Sequence, residues 1–405
     1  ALAQIAIGVA LAVPIGRAVG GTTLVNSGTC YRPPARVLRA WQDQGLPLSE
    51  DELAPYLDRV EDILGVAPAR PEHLGGVAEV IARGADALGY RHGPLRRNAP
   101  DCDAQGVCCF GCPTDAKRST NVSYIPAALR AGAQLFSDAH AERIVIEHGR
   151  AVGVVARAVG QHNHQVTVRA RAVVLAAGAL LTPVLLQRQS ETRRLLARSG
   201  QLGRNLSIHP AAAVFALMPQ RVRGAAGIPQ GYAIEEFHDE GLLFEGVFAP
   251  LDLTAASLTG FGPRYTEIME GYEHLASFGF MVEEQSRGRV RPGPAGRPLI
   301  TYYLREGDVV RLKRGLEILA QVYLAAGAKS VLLQLPGLEE VRGPEDLRRL
   351  RAMRLSARDL DLTAYHPLGT ARMGKDPLRS VVDSEGQAHD LPGLHIADGS
   401  ILPGS

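Results

Sequence analysis

Residues 364–374 read Ala-Tyr-His-Pro-Leu-Gly-Thr-Ala-Arg-Met-Gly, and the chain later runs Leu394-His395-Ile396-Ala397-Asp398-Gly399 shortly before its last residue. Because a residue that precedes proline is biased towards an extended backbone, His366 is expected to be held in an extended segment. The run from Leu394 to Ala397 is short and apolar and is followed by Asp-Gly, which predicts a buried strand that ends in a turn. Together the two stretches predict a small-molecule site that contains a histidine.

The composition limits the classes of protein to consider. With 405 residues and 46% hydrophobic content, the chain is expected to form two domains or one large composite with a substantial core. Lys and Arg number 44 and Asp and Glu 42, so the net charge of +2 gives no reason to expect a nucleic-acid partner or a polybasic membrane patch. No apolar run reaches the roughly 18–20 residues that span a bilayer. We therefore expect no transmembrane span, no secretion signal and a cytoplasmic location.

A glycine-rich segment, Gly20-Gly21-Thr22-Thr23-Leu24-Val25-Asn26-Ser27-Gly28-Thr29, follows the first apolar stretch. Paired glycines allow a backbone to approach a ligand closely. Hydroxyl and amide side chains beside them can form hydrogen bonds to phosphate or to the edge of a ring. An ordinary turn between apolar segments is the alternative.

Four of the five cysteines, Cys102, Cys108, Cys109 and Cys112, lie within eleven residues. Disulfides would require an oxidising compartment. A metal or iron-sulfur site is a second interpretation, although the adjacent pair Cys108-Cys109 departs from the common CxxC spacing. The third is the packing of buried free thiols in a loop. The sequence leaves these alternatives open.

The periodicity of apolar residues predicts an α/β protein, α+β overall, with two sheets. A capping-box pattern at Ser49 and Glu52 predicts a helix to about Leu64, and residues 73–88 and 308–326 also have helical spacing. Residues 143–159 indicate a hairpin, and the run from Ala172 to Ala177 indicates a strand followed by Gly178 and a helix. Beyond residue 207, a mainly antiparallel sheet is expected from apolar runs at residues 211–217, 242–248, 276–284, 288–291 and 299–304.

Four sequence blocks occur in an order that resembles the glucose-methanol-choline (GMC) oxidoreductase family. They are Gly20-Gly21-Thr22-Thr23-Leu24-Val25-Asn26, Val174-Leu175-Ala176-Ala177-Gly178-Ala179, Gly203-Arg204-Asn205-Leu206 with His209-Pro210, and the segment from Tyr365 to Pro403. The cysteine-rich segment, through Gly111-Cys112-Pro113 to Lys117, looks most like the branch that contains long-chain fatty alcohol oxidases. The resemblance covers nearly the whole chain.

The resemblance implies an FAD-binding domain that is interrupted in sequence by a substrate domain built on an antiparallel sheet. We assign residues 1–45, 113–206 and 361–405 to the FAD-binding domain. Residues 46–112 form a helical and Cys-rich insertion, and residues 207–360 form the substrate-binding domain.

The resemblance also implies oxidation of an alcohol CH–OH group to a carbonyl, with hydride transfer to the flavin of FAD. His366 matches the family's active-site histidine and would act as a base or as a stabiliser of the alkoxide. Residues that match the FAD-contacting segments are Gly20, Gly21, Thr22, Asn26, Ser27, Thr29, Ala397, Asp398 and Gly399. The expected partners are a small, hydrophobic alcohol and an electron acceptor, either oxygen or a carrier.

Two departures from the family pattern remain. No GxGxxG motif precedes Gly20, and the sequence stops at Ser405, before the helix in which the family carries a second catalytic His or Asn. We therefore expect a chain truncated at both ends, including the Rossmann βαβ start. The alternatives are a flavin dehydrogenase with an iron-sulfur cluster on Cys102, Cys108, Cys109 or Cys112, and a noncatalytic remnant.

Overall fold

A computed structural model of the chain describes residues 2–8, 11–46, 48–160 and 164–405. Its α-helices are α1 (Ala35–Asp43), α2 (Glu50–Leu64), α3 (Gly75–Leu88), α4 (Tyr124–Arg130), α5 (Gly178–Arg188), α6 (Ser190–Leu195), α7 (Leu251–Ser257), α8 (Pro263–Glu270), α9 (Glu306–Ala325) and α10 (Pro344–Ala352). Within the described ranges, none of the helices combines the length and the apolar character needed to cross a membrane.

The strands follow the same chain order. They are β1 (Leu2–Gly8), β2 (Leu11–Ile15), β3 (Ala67–Pro68), β4 (His92–Pro94), β5 (Arg96–Arg97), β6 (Ala139–Glu147), β7 (Arg150–Ala158), β8 (Gln165–Arg169), β9 (Val173–Leu175), β10 (Ala211–Leu217), β11 (Tyr232–Ile234), β12 (Leu242–Glu245), β13 (Leu275–Val282), β14 (Arg289–Pro292), β15 (Pro298–Tyr302), β16 (Ser330–Leu335), β17 (Leu338–Val341), β18 (Leu362–Thr363) and β19 (Leu394–Ile396).

The largest sheet contains twelve strands in the order β14-β15-β1-β2-β18-β10-β13-β12-β11-β4, with β16 added to β10 and β17 to β16. Most of its pairs are antiparallel, whereas β1 pairs with β15, and β2 with β18, in parallel. Helix α9 covers one face of this sheet. A Cβ at Gly315 of α9 would lie 2.1 Å from the ring of Phe280, so only glycine permits this close packing of helix on sheet.

A second region of the chain contains a parallel pair, β9 with β19, and an antiparallel sheet of β6, β7 and β8. Strand β9 leads through Ala177 directly into α5, as the sequence predicts. Leu175 and Ile396, on the paired strands, belong to one hydrophobic core together with Leu186 of α5. This region therefore places the loop after β19 beside the N-terminus of α5.

Most of the predicted elements are confirmed. At α2, Ser49 Oγ accepts a hydrogen bond from the Glu52 N–H at 3.2 Å, and the Glu52 carboxylate accepts one from the Ser49 N–H at 2.8 Å. This is the predicted capping box, which satisfies two N–H groups that the first helical turn leaves free. Helix α9 buries the predicted apolar stripe, and β6 and β7 form the predicted hairpin.

The division into domains stays a prediction. The sheet that contains the strands of residues 207–360 also includes β1 and β2 from residues 1–45, β4 from residues 46–112 and β18 from residues 361–405. Backbone hydrogen bonds of the large sheet therefore join segments that the sequence assigns to three different units.

Candidate functional site

His366 and His209 face each other across two paired segments. Ser207 and Leu368 form an antiparallel bridge, with the N–H of each residue donating to the carbonyl of the other. His209 lies two residues after Ser207, and His366 lies two residues before Leu368. Their imidazoles meet edge to face, with centroids 5.4 Å apart and an interplanar angle of 82°. The backbone register therefore creates a pair of histidines in which only His366 was predicted.

The carboxylate of Glu284 fixes the segment that carries His209. It is buried and accepts hydrogen bonds from the N–H groups of Ile208 and His209, at 2.7 and 3.2 Å, and from the hydroxyls of Ser207 and Ser405, at 2.7 and 2.6 Å. His209 has a φ of 50°, a left-handed conformation that is uncommon for a residue with a side chain. Strain of this kind persists only where the surroundings determine the backbone, and such positions cluster at functional sites.

The surroundings of both imidazoles favour their neutral form. Burial, reinforced by the neighbouring His209 and opposed by Glu284, lowers the pKa of His366 to about 4. Burial and the charge of Arg287 lower the pKa of His209 to about 4 as well. His366 nevertheless retains an exposed surface, and no described residue forms a hydrogen bond with its ring nitrogens. The imidazole of His366 is therefore a neutral hydrogen-bond acceptor with part of its surface accessible.

Asp398 lies where β19 ends and connects two of the sequence blocks. One carboxylate oxygen accepts hydrogen bonds from the Gly178 N–H at 2.9 Å and the Thr182 hydroxyl at 2.6 Å, and the other accepts from the Ser400 N–H at 2.8 Å. The side chain of Asp398 therefore fastens the C-terminal segment to the start of α5. Contacts of Ala397, Asp398 and Gly399 with a cofactor remain a prediction.

The glycine-rich loop is closely packed at Gly20 and open at Gly21. Gly20 and Gly21 have φ values of 95° and 56°, and a Cβ at Gly21 would have no atom within 4 Å. Thr22 Oγ1 accepts from the Gly16 N–H at 3.2 Å, whereas the buried Thr29 Oγ1 has no partner in the described part of the chain. A ligand could therefore approach the backbone at Gly21 closely.

Lys117 ties this loop to the cysteine-rich segment. Its buried ammonium donates to the carbonyls of Leu24 at 2.9 Å, Asn26 at 2.6 Å and Cys108 at 2.9 Å, and to the Asn26 side-chain oxygen at 3.3 Å. Burial lowers the pKa of Lys117, an effect that the neighbouring thiols oppose. The loop is therefore held in place by one buried cation.

The four clustered cysteines make separate contacts. Cys108 Sγ accepts from Arg97 at 3.2 Å, Cys109 Sγ lies 3.4 Å from Ser27 Oγ, and Cys112 Sγ accepts from the Lys117 N–H at 3.4 Å. Cys102 Sγ accepts from the N–H of Ala104, and all are free thiols. Among the residues described, no three His, Cys, Asp or Glu side chains are grouped so as to hold a metal ion. None of the four thiols is fully buried, and the choice between packing and a cluster stays open.

Glu245 is a buried carboxyl group on the sheet face opposite α9. It lies across from Gly279 of β13 and Ala233 of β11, while its neighbour Phe244 packs with Phe280 towards α9. One carboxylate oxygen is buried without a partner in the described structure. Burial, partly opposed by a hydrogen bond from Gln230, raises the pKa of Glu245 to about 7. No pattern in the sequence singles out this residue.

We expect Glu245→Gln to remove a pH-dependent loss of stability. Because the pKa of Glu245 rises from 4.5 to about 7 on folding, the folded state holds the proton more tightly than the unfolded state. Folding therefore becomes less favourable as the pH rises from about 4.5 to 7, at a cost of about 3 kcal/mol above pH 7. Urea unfolding at pH 4.5 and pH 8 should show the variant gaining about this much relative to wild type at the higher pH.

Glu72→Gln is the matched control, since Glu72 is exposed and forms no ion pair in the described structure. Equal pH dependence of the wild-type protein and Glu245→Gln would contradict the prediction.

Three residues of this region were missed by the sequence reasoning: His209, Glu284 and Glu245. A signal for His209 was present, because His209-Pro210 and His366-Pro367 are the two His-Pro dipeptides in the sequence. Glu284 and Glu245 carry no such signal, since the partners of Glu284 lie on the distant segment 207–209 and the burial of Glu245 depends on the pairing of β12 with its neighbours.

Sequence profiles of a known family match the parts of the chain that contain the four sequence blocks. Residues 5–211 and residues 284–405 match the N-terminal and C-terminal sequence profiles described as GMC oxidoreductase. The chain belongs to the GMC oxidoreductase family. Members of this family are FAD-dependent flavoproteins, and they include enzymes that oxidise CH–OH donors.

Among its relatives is an uncharacterized GMC-type oxidoreductase of Mycobacterium tuberculosis, 38% identical over 397 residues, which cover 97% of this chain and 62% of the relative. A long-chain-alcohol oxidase of Arabidopsis thaliana is 27% identical over 421 residues, covering 96% of this chain and 55% of the oxidase. The chain thus spans about three fifths of the length of such relatives. Pyridoxine 4-oxidase from Mesorbium loti has the same fold, with a TM-score of 0.69 at 19% identity, covering 97% of this chain and 81% of that one.

The residues present fit the polar side of an FAD site. Thr29 Oγ1, Ser400 Oγ and Asn121 Oδ1 are buried polar atoms without partners in the part of the chain that the structure describes. Burying such an atom unpaired costs about 1–3 kcal/mol, so each is suited to a polar ligand. Gly21 leaves room for close approach. That the Gly20–Thr29 loop and the segment that follows Asp398 hold the cofactor remains a prediction.

Proposed function

We propose that the protein oxidises a hydrophobic alcohol to the corresponding carbonyl, using FAD held by the Gly20–Thr29 loop and the 397–400 segment, with His366 at the reacting hydroxyl. The observation that carries the proposal is the neutral, exposed imidazole of His366, whose ring nitrogens have no hydrogen-bond partner among the described residues. FAD, when bound, accepts the hydride that leaves the alcohol carbon.

The role of His366 follows from the chemistry of the carbinol. A hydride leaves readily only as the hydroxyl proton is lost, so a base must lie about 3 Å from the oxygen. A neutral imidazole can take that proton. Glu284, by fixing the backbone beneath His209, keeps the packing partner of His366 in position.

The apolar character of the substrate is supported by the long-chain-alcohol oxidases among the relatives. Oxygen is the proposed acceptor.

The test uses the full-length protein, purified without added cofactor. We expect flavin absorbance in the visible range, and anaerobic bleaching of that absorbance by primary alcohols, increasing with chain length. Air should then restore the absorbance. A preparation with no flavin after purification, or a bound flavin that no alcohol reduces, would overturn the proposal. Restoration by an artificial dye but not by air would reject oxygen as the acceptor.

A further inference from the structure

A concave pocket of about 250 Å³ lies between the α5–α6 region and β14, and neither His209 nor His366 lines it. Four arginines line it: Arg193, Arg204, Arg289 and Arg291. All four are exposed, and within the described residues none forms an ion pair or donates a side-chain hydrogen bond. The remaining lining residues include Gln187, two glycines and aliphatic side chains, and no acidic or aromatic one.

The charge around this pocket is segregated from the rest of the chain. Residues 185–210 and 285–305 together contain ten arginines and one acidic residue, Glu191, in a chain whose net charge is +2. Of these arginines, Arg198 is paired with Asp390. Elsewhere arginines are matched with acids, as Arg264 is with Glu267 and Glu340. Acidic residues such as Glu284 border these segments, but none lines the pocket beside its four arginines, and such a concentration of one charge attracts anions.

The geometry points to a binding site for a phosphate-bearing anion in this pocket. Guanidinium groups are planar forks that bind phosphate oxygens in pairs, and they remain charged at every physiological pH. The pocket is smaller than the roughly 300–1,000 Å³ of sites for drug-sized ligands, so it suits a phosphate or diphosphate group with a small substituent. Because no aromatic ring lines it, nothing is placed to stack on a nucleobase. A soluble phosphate compound and a phospholipid headgroup share this chemistry.

The experiment measures binding to the full-length protein. Inorganic pyrophosphate is titrated by calorimetry, and vesicles of phosphatidylcholine with and without phosphatidic acid are tested by co-sedimentation, each at low salt and at about 0.15 M salt. The variant is Arg204→Gln combined with Arg289→Gln. The control is Arg221→Gln, which removes an exposed arginine paired with Glu273.

We expect binding that survives at the higher salt and weakens at least about tenfold in the double variant but not in the control. Binding of pyrophosphate assigns the site to a soluble anion, and binding confined to phosphatidic acid vesicles assigns it to a headgroup. The proposal would be overturned if neither pyrophosphate nor the phosphatidic acid vesicles bound, or if binding were lost at about 0.15 M salt. Binding by the double variant that equals that of wild type would also overturn it. Flavin content and alcohol oxidation are not part of this readout, so the result is independent of the proposed activity.

Discussion

His366→Ala is expected to lower kcat/KM for alcohol oxidation by about 10²–10⁴-fold, the range that one well-placed general base contributes. The loss should fall mainly on kcat, since the imidazole assists only as the hydroxyl proton leaves. Flavin content should be unchanged, because no described hydrogen bond of the fold depends on this side chain. Steady-state kinetics and the flavin-to-protein absorbance ratio of wild type and variant measure the two effects. A variant that retains wild-type kcat would exclude His366 as the base.

The acid limb of the pH profile tests the environment of the same residue. The base must be neutral to act, and the pKa of His366 is lowered to about 4, so activity should stay constant towards lower pH and fall only near that value. His209 is one cause of the lowering, whereas Glu284 opposes it. In His209→Asn the fall should therefore begin at a higher pH. Asparagine tolerates the left-handed backbone of residue 209, so the fold should be retained. An acid limb at the same pH in both proteins would contradict this account.

The elements of the fold were largely predictable from local patterns. The capping box at Ser49, the apolar stripe of α9 and the β9–Gly178–α5 sequence each depend on residues close together in the chain. The periodicity of apolar residues and the capping of helices are local properties, so a sequence is enough to recognise them. The family resemblance also comes from contiguous blocks, and the family profiles confirm it.

What the sequence could not predict depends on contacts between distant segments. His209 meets His366 because Ser207 pairs with Leu368, and no local pattern specifies that register. The buried carboxylates of Glu284 and Glu245 are similar, since each contacts or pairs with segments distant in the sequence. The arginine-lined pocket could not be predicted from the sequence for another reason. A net charge of +2 averages over the whole chain and does not reveal that two segments carry arginines with almost no acids.

Lys117→Met is expected to destabilise the protein by about 3–5 kcal/mol, because it leaves the oxygens that a buried charge had satisfied without a donor. Three carbonyl groups and the Asn26 side chain accept from this ammonium, and Met fills a similar volume without donating. Since two of these carbonyls belong to Leu24 and Asn26, the glycine-rich loop should also lose its fixed position. The flavin content after purification should fall with the free energy of unfolding. Urea unfolding and the flavin-to-protein absorbance ratio measure both.

The matched control is Lys329→Met, which removes the same charge from an exposed side chain. Its stability should stay within about 0.5 kcal/mol of wild type, as is usual for surface substitutions. Comparison of the two separates the loss of a buried donor from the loss of a positive charge. If Lys117→Met were as stable as Lys329→Met, the ammonium could not be what holds the loop. Equal stability with less flavin would instead place Lys117 at the cofactor itself, because only the bound state would then depend on the charge.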